Sequence, residues 1–202
     1  MKWYFTSDQL QDEQLVIAIS LTRIYKYMDI IYRPIGIIYS PFNNLEDMPI
    51  QPTSDVSGSG TVEIFPQFID GLKDLEGFSH IYLLYHLHKM RRSNLIVTPF
   101  LDKEPRGIFA TRAPSRPNPI GLSLVELSRI ENNLIYIERL DVLNGTPLLD
   151  IKPYVPDFEN THNVRIGWLE KVKRQFQTRK SDTRFKWNHI MVNYHIIPVI
   201  DG

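Results

Sequence analysis

Leu122-Ser-Leu-Val-Glu-Leu-Ser-Arg-Ile130, Glu131-Asn-Asn133 and Leu134-Ile-Tyr-Ile-Glu-Arg-Leu140 read as a strand, a tight polar turn and a second strand, and this stretch decides the fold class. Branched and aromatic residues suit a pleated, half-buried surface, and asparagines tolerate the left-handed backbone of a short turn. The pattern then repeats. Leu140-Asp-Val-Leu143 and Pro147-Leu-Leu-Asp-Ile151 flank Asn144-Gly145, the dipeptide favoured in type I′ turns, which predicts a second hairpin.

Upstream, Phe78-Ser-His-Ile-Tyr-Leu-Leu-Tyr-His-Leu-His88 is the strongest strand signal in the chain. Phe78, His80, Tyr82, Leu84, His86 and His88 share one face; Ser79, Ile81, Leu83, Tyr85 and Leu87 share the other. Both faces are largely apolar, which predicts a central strand covered on both sides. Ile35-Gly-Ile-Ile-Tyr39 and Thr61-Val-Glu-Ile-Phe65 add two short strands around a loop from Asn43 to Gly60. Many short strands joined by hairpins, with few helices, predict a mainly β fold, a barrel or a sandwich.

Helical spacing is confined to the margins. Gln67 to Leu75 fits a short helix with Phe68, Leu72 and Leu75 on one face, and Ile166, Leu169, Val172 and Phe176 predict a C-terminal helix with a basic outer side. Near the start, Leu15, Ile19 and Ile24 suit a helical stripe, while their β-branched neighbours suit a strand equally. The expected organisation is an N-terminal appendage over residues 1–30, a β domain over 31–160 and a basic extension over 161–202. A chain of 202 residues has room for one domain with a substantial core.

No apolar run approaches the ~20 residues that a membrane-spanning helix needs, and Leu15 to Ser20 lacks the basic leader and cleavage site of a signal peptide. With no cysteine, the chain has no disulfide, thiolate zinc site or cysteine nucleophile, and a cytoplasmic location is expected. The zero net charge hides a division: residues 1–87 carry 5 Lys/Arg against 11 Asp/Glu, and residues 117–159 carry 3 against 7. Residues 88–116 carry 7 against 2, and residues 160–202 carry 8 against 3. These two basic stretches are either a phosphate-facing patch or solvated faces.

Gly107-Ile-Phe-Ala-Thr-Arg-Ala-Pro-Ser-Arg-Pro-Asn-Pro-Ile-Gly-Leu-Ser123 carries the most chemistry. Pro114, Pro117 and Pro119 stiffen the backbone, with Arg112 and Arg116 within that stretch and Asn118 between the last two prolines. A rigid loop bearing two guanidiniums suits the holding of carboxylates or phosphates, and a loop pinned by internal Arg contacts would look similar.

Phe109 to Gly121 resembles the signature of the TrmO/TsaA-like family, and three further blocks follow the family order: Pro34-Ile-Gly-Ile-Ile-Tyr-Ser-Pro41, Leu75-Glu-Gly-Phe-Ser-His80 and Asn144-Gly-Thr-Pro-Leu-Leu-Asp-Ile-Lys-Pro-Tyr154. Together they span roughly Arg33 to Glu159. The resemblance implies a single-sheet β-barrel that binds S-adenosylmethionine and acts as a homodimer, with active sites near the subunit interface. It also implies methyl transfer to the exocyclic nitrogen of threonylcarbamoyladenosine beside the tRNA anticodon. By position, the cofactor pocket implied is Gln51, Pro52 and Thr53, His88 and Lys89, Arg112, Leu122, and Glu138, Arg139, Leu140 and Asp141. Arg116 and Asn118 belong to the loop beside the substrate. Ile50 stands where the family often has arginine, Asn144 where it often has aspartate, and the resemblance does not extend to the separate C-terminal domain of longer bacterial members.

The chemistry asked of such a site is modest. A sulfonium already activates its methyl group, so transfer depends on positioning and on loss of a proton from a weakly basic nitrogen. Asp141 and Asp150 are the carboxylates placed for base or orienter, with a structural role in satisfying loop amides as the alternative for each. Gly58-Ser-Gly60 sits in a polar loop without the strand–turn–helix of a dinucleotide fold, which excludes a Rossmann methyltransferase. His80, His86 and His88 share a strand face, but no carboxylate joins them, so no metal is expected. The rival from another class is a barrel that binds RNA without chemistry. A further alternative keeps the methyl transfer and changes the acceptor to another nucleoside or a small molecule.

Overall fold

Inward apolar residues alternating with outward polar ones close six antiparallel strands into a barrel. The structure, a computed structural model, describes residues 30–44, 58–100, 102–159 and 163–170. The chain divides into two units, Met1–Arg33 and Pro34–Gly202, and the second holds every described strand. In chain order these are β1 (Gly36–Tyr39), β2 (Gly58–Ile64), β3 (His80–His86), β4 (Ile96–Val97), β5 (Arg106–Gly107), β6 (Ile120–Glu131), β7 (Leu134–Leu140) and β8 (Thr146–Pro153). Around the barrel the order is β1-β2-β7-β6-β3-β8, and β8 pairs back onto β1. Closure leaves no free sheet edge among these strands. β4 and β5 form a separate two-stranded ribbon.

The barrel interior is aliphatic. Ile38, Val62, Ile81, Leu83, Val125, Ile135 and Leu148 are all fully buried there, each contributing roughly 1.5–3 kcal/mol through loss of apolar contact with water. The β6–β7 hairpin turns where the sequence predicts it: Glu131 pairs with Leu134, and Asn132 takes the left-handed conformation with φ 57°.

The predicted second hairpin is not formed. β7 is already paired on both sides, to β2 and β6, and β8 is paired to β1 and β3, so neither has an edge for the other. Arg139, with φ 61°, turns the chain near the end of β7. Residues 141–143 then link β7 to β8 without joining the sheet, burying Val142 and Leu143. Asn144-Gly145 closes that link with only Gly145 at positive φ, whereas a type I′ turn needs two such residues. The Asn144 amide instead ties the link to the end of β1, accepting from Ser40 N at 3.2 Å and donating to Asn43 Oδ1 at 3.1 Å.

β3 also departs from expectation. Its inner face, Ile81, Leu83 and Tyr85, is buried, but His80, Tyr82, Leu84 and His86 on the outer face are only half-buried. Edge-to-face contacts of His80 and Tyr82 with Tyr154, at 6.2 and 5.9 Å between centroids, shield part of that outer face. The Gly58-Ser-Gly60 segment, read as loop, opens β2 and carries a bulge. A Cβ at Gly60 would lie 2.7 Å from Tyr39 O, so the strands approach closely there only because the residue is glycine. The stretch from Gln67 to Leu75 forms 3₁₀ turns, Pro66–Leu72 and Leu75–Gly77, rather than one α-helix.

At the C-terminal side, Pro156–Glu159 is a single helical turn, and residues 167–170 form another. The predicted helix beyond Glu170 lies outside the described residues, as do residues 1–29. Among the described residues no helix is long and apolar enough to cross a membrane.

Candidate active site

The proline-rich loop is held by its own arginine. Arg116 donates from one guanidinium nitrogen to Thr111 O at 2.9 Å, Ile108 O at 3.3 Å and Ala113 O at 3.4 Å, gathering three carbonyls that the prolines cannot serve as donors. The same guanidinium lies 6.0 Å from the centroid of Phe109, an exposed ring (76%) on the 3₁₀ turn Ile108–Ala110. Beneath the loop, Ile108, Ala113 and Val97 make a small second core. Leu87 N donates to Pro119 O at 2.7 Å and Asn94 N to Ser115 O at 3.0 Å, which fixes the loop beside the chain leaving β3. Arg116 is therefore the clasp of this loop, and Asn118 is exposed on it.

Arg112 has the opposite character. It is exposed, and no hydrogen bond or ion pair holds its guanidinium among the described residues. Its charge lowers the pKa of Asp141, of Tyr85 and of Tyr82 on the outer face of β3, so its field reaches both the carboxylate past β7 and the outer wall of β3.

Asp141 is the first residue past β7, and its carboxylate accepts a 2.6 Å hydrogen bond from Ser123 Oγ. Ser123 in turn lies 3.0 Å from the Tyr85 hydroxyl. Burial pushes the Asp141 carboxyl up to about 6, against the pull of Ser123 and the weaker pull of Arg112. Burial also raises the Tyr85 phenol, helped by the Asp141 charge. A carboxyl near 6 is suited to taking or giving a proton at neutral pH.

The remaining predicted pocket residues are spread around this rim. His88, just past β3, lies 3.2 Å from Thr146 Oγ1 through Nδ1, and burial followed by the charges of Lys89 and His86 lowers its pKa. Lys89 is exposed beside it. Leu122 is 49% exposed on the outer face of β6, directly across from Leu84. Glu138 is hydrogen-bonded by the Ser59 hydroxyl, and Arg139 lies 3.6 Å from Glu126 in a solvent-exposed pair. Leu140 is fully buried in the core, so only its backbone is available to a ligand. Asp150 pairs across the sheet with Leu84, on the outer wall, where it forms a 2.9 Å ion pair with Lys152 and accepts from Ile151 N. The fold thus brings Asp141, Ser123 and Tyr85 together with Arg112 nearby, and leaves Asp150 on the other side of the wall. Gln51, Pro52 and Thr53 lie outside the described residues. No cluster of three or more His, Asp or Glu side chains suited to a metal is present among the described residues.

A closed six-stranded barrel, a proline-stiffened arginine loop at its rim and a half-buried carboxylate at the same end define a class distinct from the doubly wound nucleotide-binding folds. Residues 37–160 match the family described as the tRNA-methyltransferase O N-terminal domain, and the chain belongs to that family. A probable S-adenosyl-L-methionine-binding protein of Pyrococcus abyssi is 54% identical over 156 residues, covering 77% of this chain and 85% of its own. The tRNA (adenine(37)-N6)-methyltransferase of Rattus norvegicus is 34% identical over 67% of this chain, which spans 33% of the rat protein. The crystal structure of TrmO from Pseudomonas aeruginosa aligns with a TM-score of 0.59 and 37% identity, covering 70% of this chain and 63% of that one.

Two site residues escaped the sequence reading, Tyr85 and Ser123. The signal for Ser123 was present: it holds an inward position in the alternation of β6, where a polar group must find a buried partner. Its partners come from β3 and from the link after β7, so no local pattern joins them.

Proposed function

We propose that this chain binds S-adenosylmethionine and transfers its methyl group to tRNA, at the exocyclic nitrogen of threonylcarbamoyladenosine beside the anticodon. The observation that carries the reading is Asp141, a carboxyl held near neutrality by burial, beside the free guanidinium of Arg112 at the mouth of a family barrel. The residues present fit the cofactor's chemistry. Arg112 offers planar donors for a carboxylate, and the carboxylate of Asp141 complements an ammonium or sulfonium. Bound there, the cofactor would supply an already activated methyl group. The chain's own part is to orient, to exclude water and to accept a proton at Asp141 Oδ as the acceptor nitrogen becomes a nucleophile.

The basic stretch 88–116 supports tRNA as the partner, and the exposed Ile120 (40%) and Leu122 on the outer face of β6 support a homodimer with sites near the interface. We place the protein in the cytoplasm, where such a substrate is found. If Lys89, Arg91 and Arg92 approach phosphates, tRNA affinity is expected to fall roughly 10- to 100-fold between roughly 50 and 200 mM salt. Filter binding across that range checks it, and a flat profile removes this stretch from the interface.

Calorimetric titration with S-adenosylmethionine, followed by methylation of tRNA with and without the threonylcarbamoyl group, tests the reading. Binding with methylation only of the modified tRNA is the expected result. Methylation of another acceptor would keep the enzyme and change its substrate; tRNA binding with no cofactor binding would make the barrel an RNA-binding module. Arg112→Ala is expected to weaken cofactor binding by about 10-fold or more, the scale of a charge-assisted pair, with an unchanged melting temperature. Unchanged affinity would take Arg112 out of the pocket.

A further inference from the structure

The inner walls of β3 and β6 hold two hydroxyls that barrel packing does not require. Ser123 and Tyr85 are both buried, 3.0 Å apart, and Ser123 lies 2.6 Å from Asp141 Oδ1. The direction of these bonds follows from counting hydrogens. A serine hydroxyl has one hydrogen and two lone pairs. If that hydrogen goes to the ionised Asp141, Ser123 can only accept from Tyr85, so the chain runs from the Tyr85 hydroxyl to Ser123 to the carboxylate. Both dipoles then point at the negative charge and reinforce each other. Reversing the chain to suit a protonated Asp141 would leave the Tyr85 hydrogen without an acceptor among the described residues.

The backbone fixes where this chain begins. Gly121 lies opposite Tyr85 in the register of β3 and β6, and a Cβ there would fall inside the Tyr85 ring. The ring therefore packs directly against a glycine, with main chain on that side rather than a side chain that can rotate away.

We infer that Tyr85 and Ser123 are positioning residues, a buried two-hydroxyl chain that holds the Asp141 carboxylate charged and in one orientation at the rim beside Arg112. The inference rests on the reading of Asp141 as the acting carboxylate of methyl transfer. Among the described residues, the charged or titratable groups acting on Asp141 are Arg112 from the proline-rich loop and Tyr85 from β3. Burial works against the charged form, and the hydrogen bond from Ser123 opposes it more strongly than Arg112 does.

Two measurements separate this inference from the function it rests on. The pH titration of the Asp141 side-chain carbon, followed by NMR in the full-length protein, reads the chain without any turnover. Tyr85→Phe keeps the ring on Gly121 and removes one hydroxyl; Ser123→Ala removes the link itself. The midpoint is expected to rise in both, by about one pH unit in Ser123→Ala, the size of a hydrogen bond to a charged group, and by less in Tyr85→Phe. The acid limb of the methylation rate should move by the same amount, whereas a merely structural loss would lower the rate equally at every pH. An unmoved midpoint in Tyr85→Phe, which keeps the fold even if Ser123→Ala does not, overturns the inference. Wild-type protein that neither binds S-adenosylmethionine nor methylates tRNA sinks the methyl-transfer reading, while the midpoints still decide whether the chain governs Asp141.

Discussion

Asp141→Asn is expected to lower methyl transfer by about 100-fold or more, the usual contribution of a positioned acid–base group, while making the protein more stable at neutral pH. The two effects have one cause. The Asp141 carboxyl has a pKa of about 6 in the folded chain against 3.8 for an unperturbed aspartate, because burial disfavours its charge. Below 3.8 the group is protonated in both folded and unfolded chains and makes no difference. Between 3.8 and about 6 the unfolded chain releases the proton and the folded one keeps it, so stability falls as pH rises through this window. Above it, the buried charge costs at most about 3 kcal/mol, about 1.4 kcal/mol for each pH unit of difference. Asparagine keeps an oxygen to accept from Ser123 and carries no charge, so it removes this cost. Thermal melts at about pH 4 and about pH 8 should show the variant's advantage only at the higher value. An equal gain at both would mean that Asp141 is not buried as a charge. A wild-type rate in the variant would leave Arg112 and the loop as the only candidates for the chemistry.

A site that destabilises its own fold at working pH is a common mark of function, because selection for stability alone would replace the carboxylate. Asp150, on the outer wall, is paired with Lys152 at 2.9 Å and reads as a surface residue. Sequence alone could not separate the two. Both lie in short apolar runs of similar pattern, but Asp141 falls just past the end of β7 while Asp150 sits within β8 on its outer face. That depends on the bulge in the β3–β8 ladder between Leu84 and Tyr85 and on the turn at Arg139.

The same limit explains what the sequence revealed of the fold. The β6–β7 hairpin was legible because its strands and turn are contiguous and its alternation is strict. Leu140–Leu143 and Pro147–Ile151 are equally close in sequence but form no hairpin, since the Asn144-Gly145 signal reports a local turn and says nothing about which edges remain open. The β4–β5 ribbon, with two residues in each strand, is too short to show a period, yet it helps to build the floor of the arginine loop. Arg112 and Arg116 looked equivalent in the sequence. Only the carbonyls around Arg116 reveal that it is the loop's clasp while Arg112 is left for a ligand.

Gly121→Ala is expected to cost about 1–3 kcal/mol of stability, the range of an overpacked core, despite adding a single methyl group to a strand that generally favours it over glycine. Tyr85 cannot yield easily. Its ring is buried on the inner wall of the barrel, and its hydroxyl is tied to Ser123. The neighbouring motif residues offer no relief, since Ile120 and Leu122 point outward and a shift of β6 would disturb its pairing with β3 along its whole length. If the clash with the ring is the cause, the cost should be much smaller in a Tyr85→Leu background, where no ring occupies the space. A double-mutant cycle measured by chemical denaturation reads that difference directly. Additive costs would mean that Gly121 is required by the backbone and not by the ring. Strong coupling would explain why this loop motif ends in glycine: the residue is empty so that a tyrosine from the next strand can reach the serine behind the carboxylate.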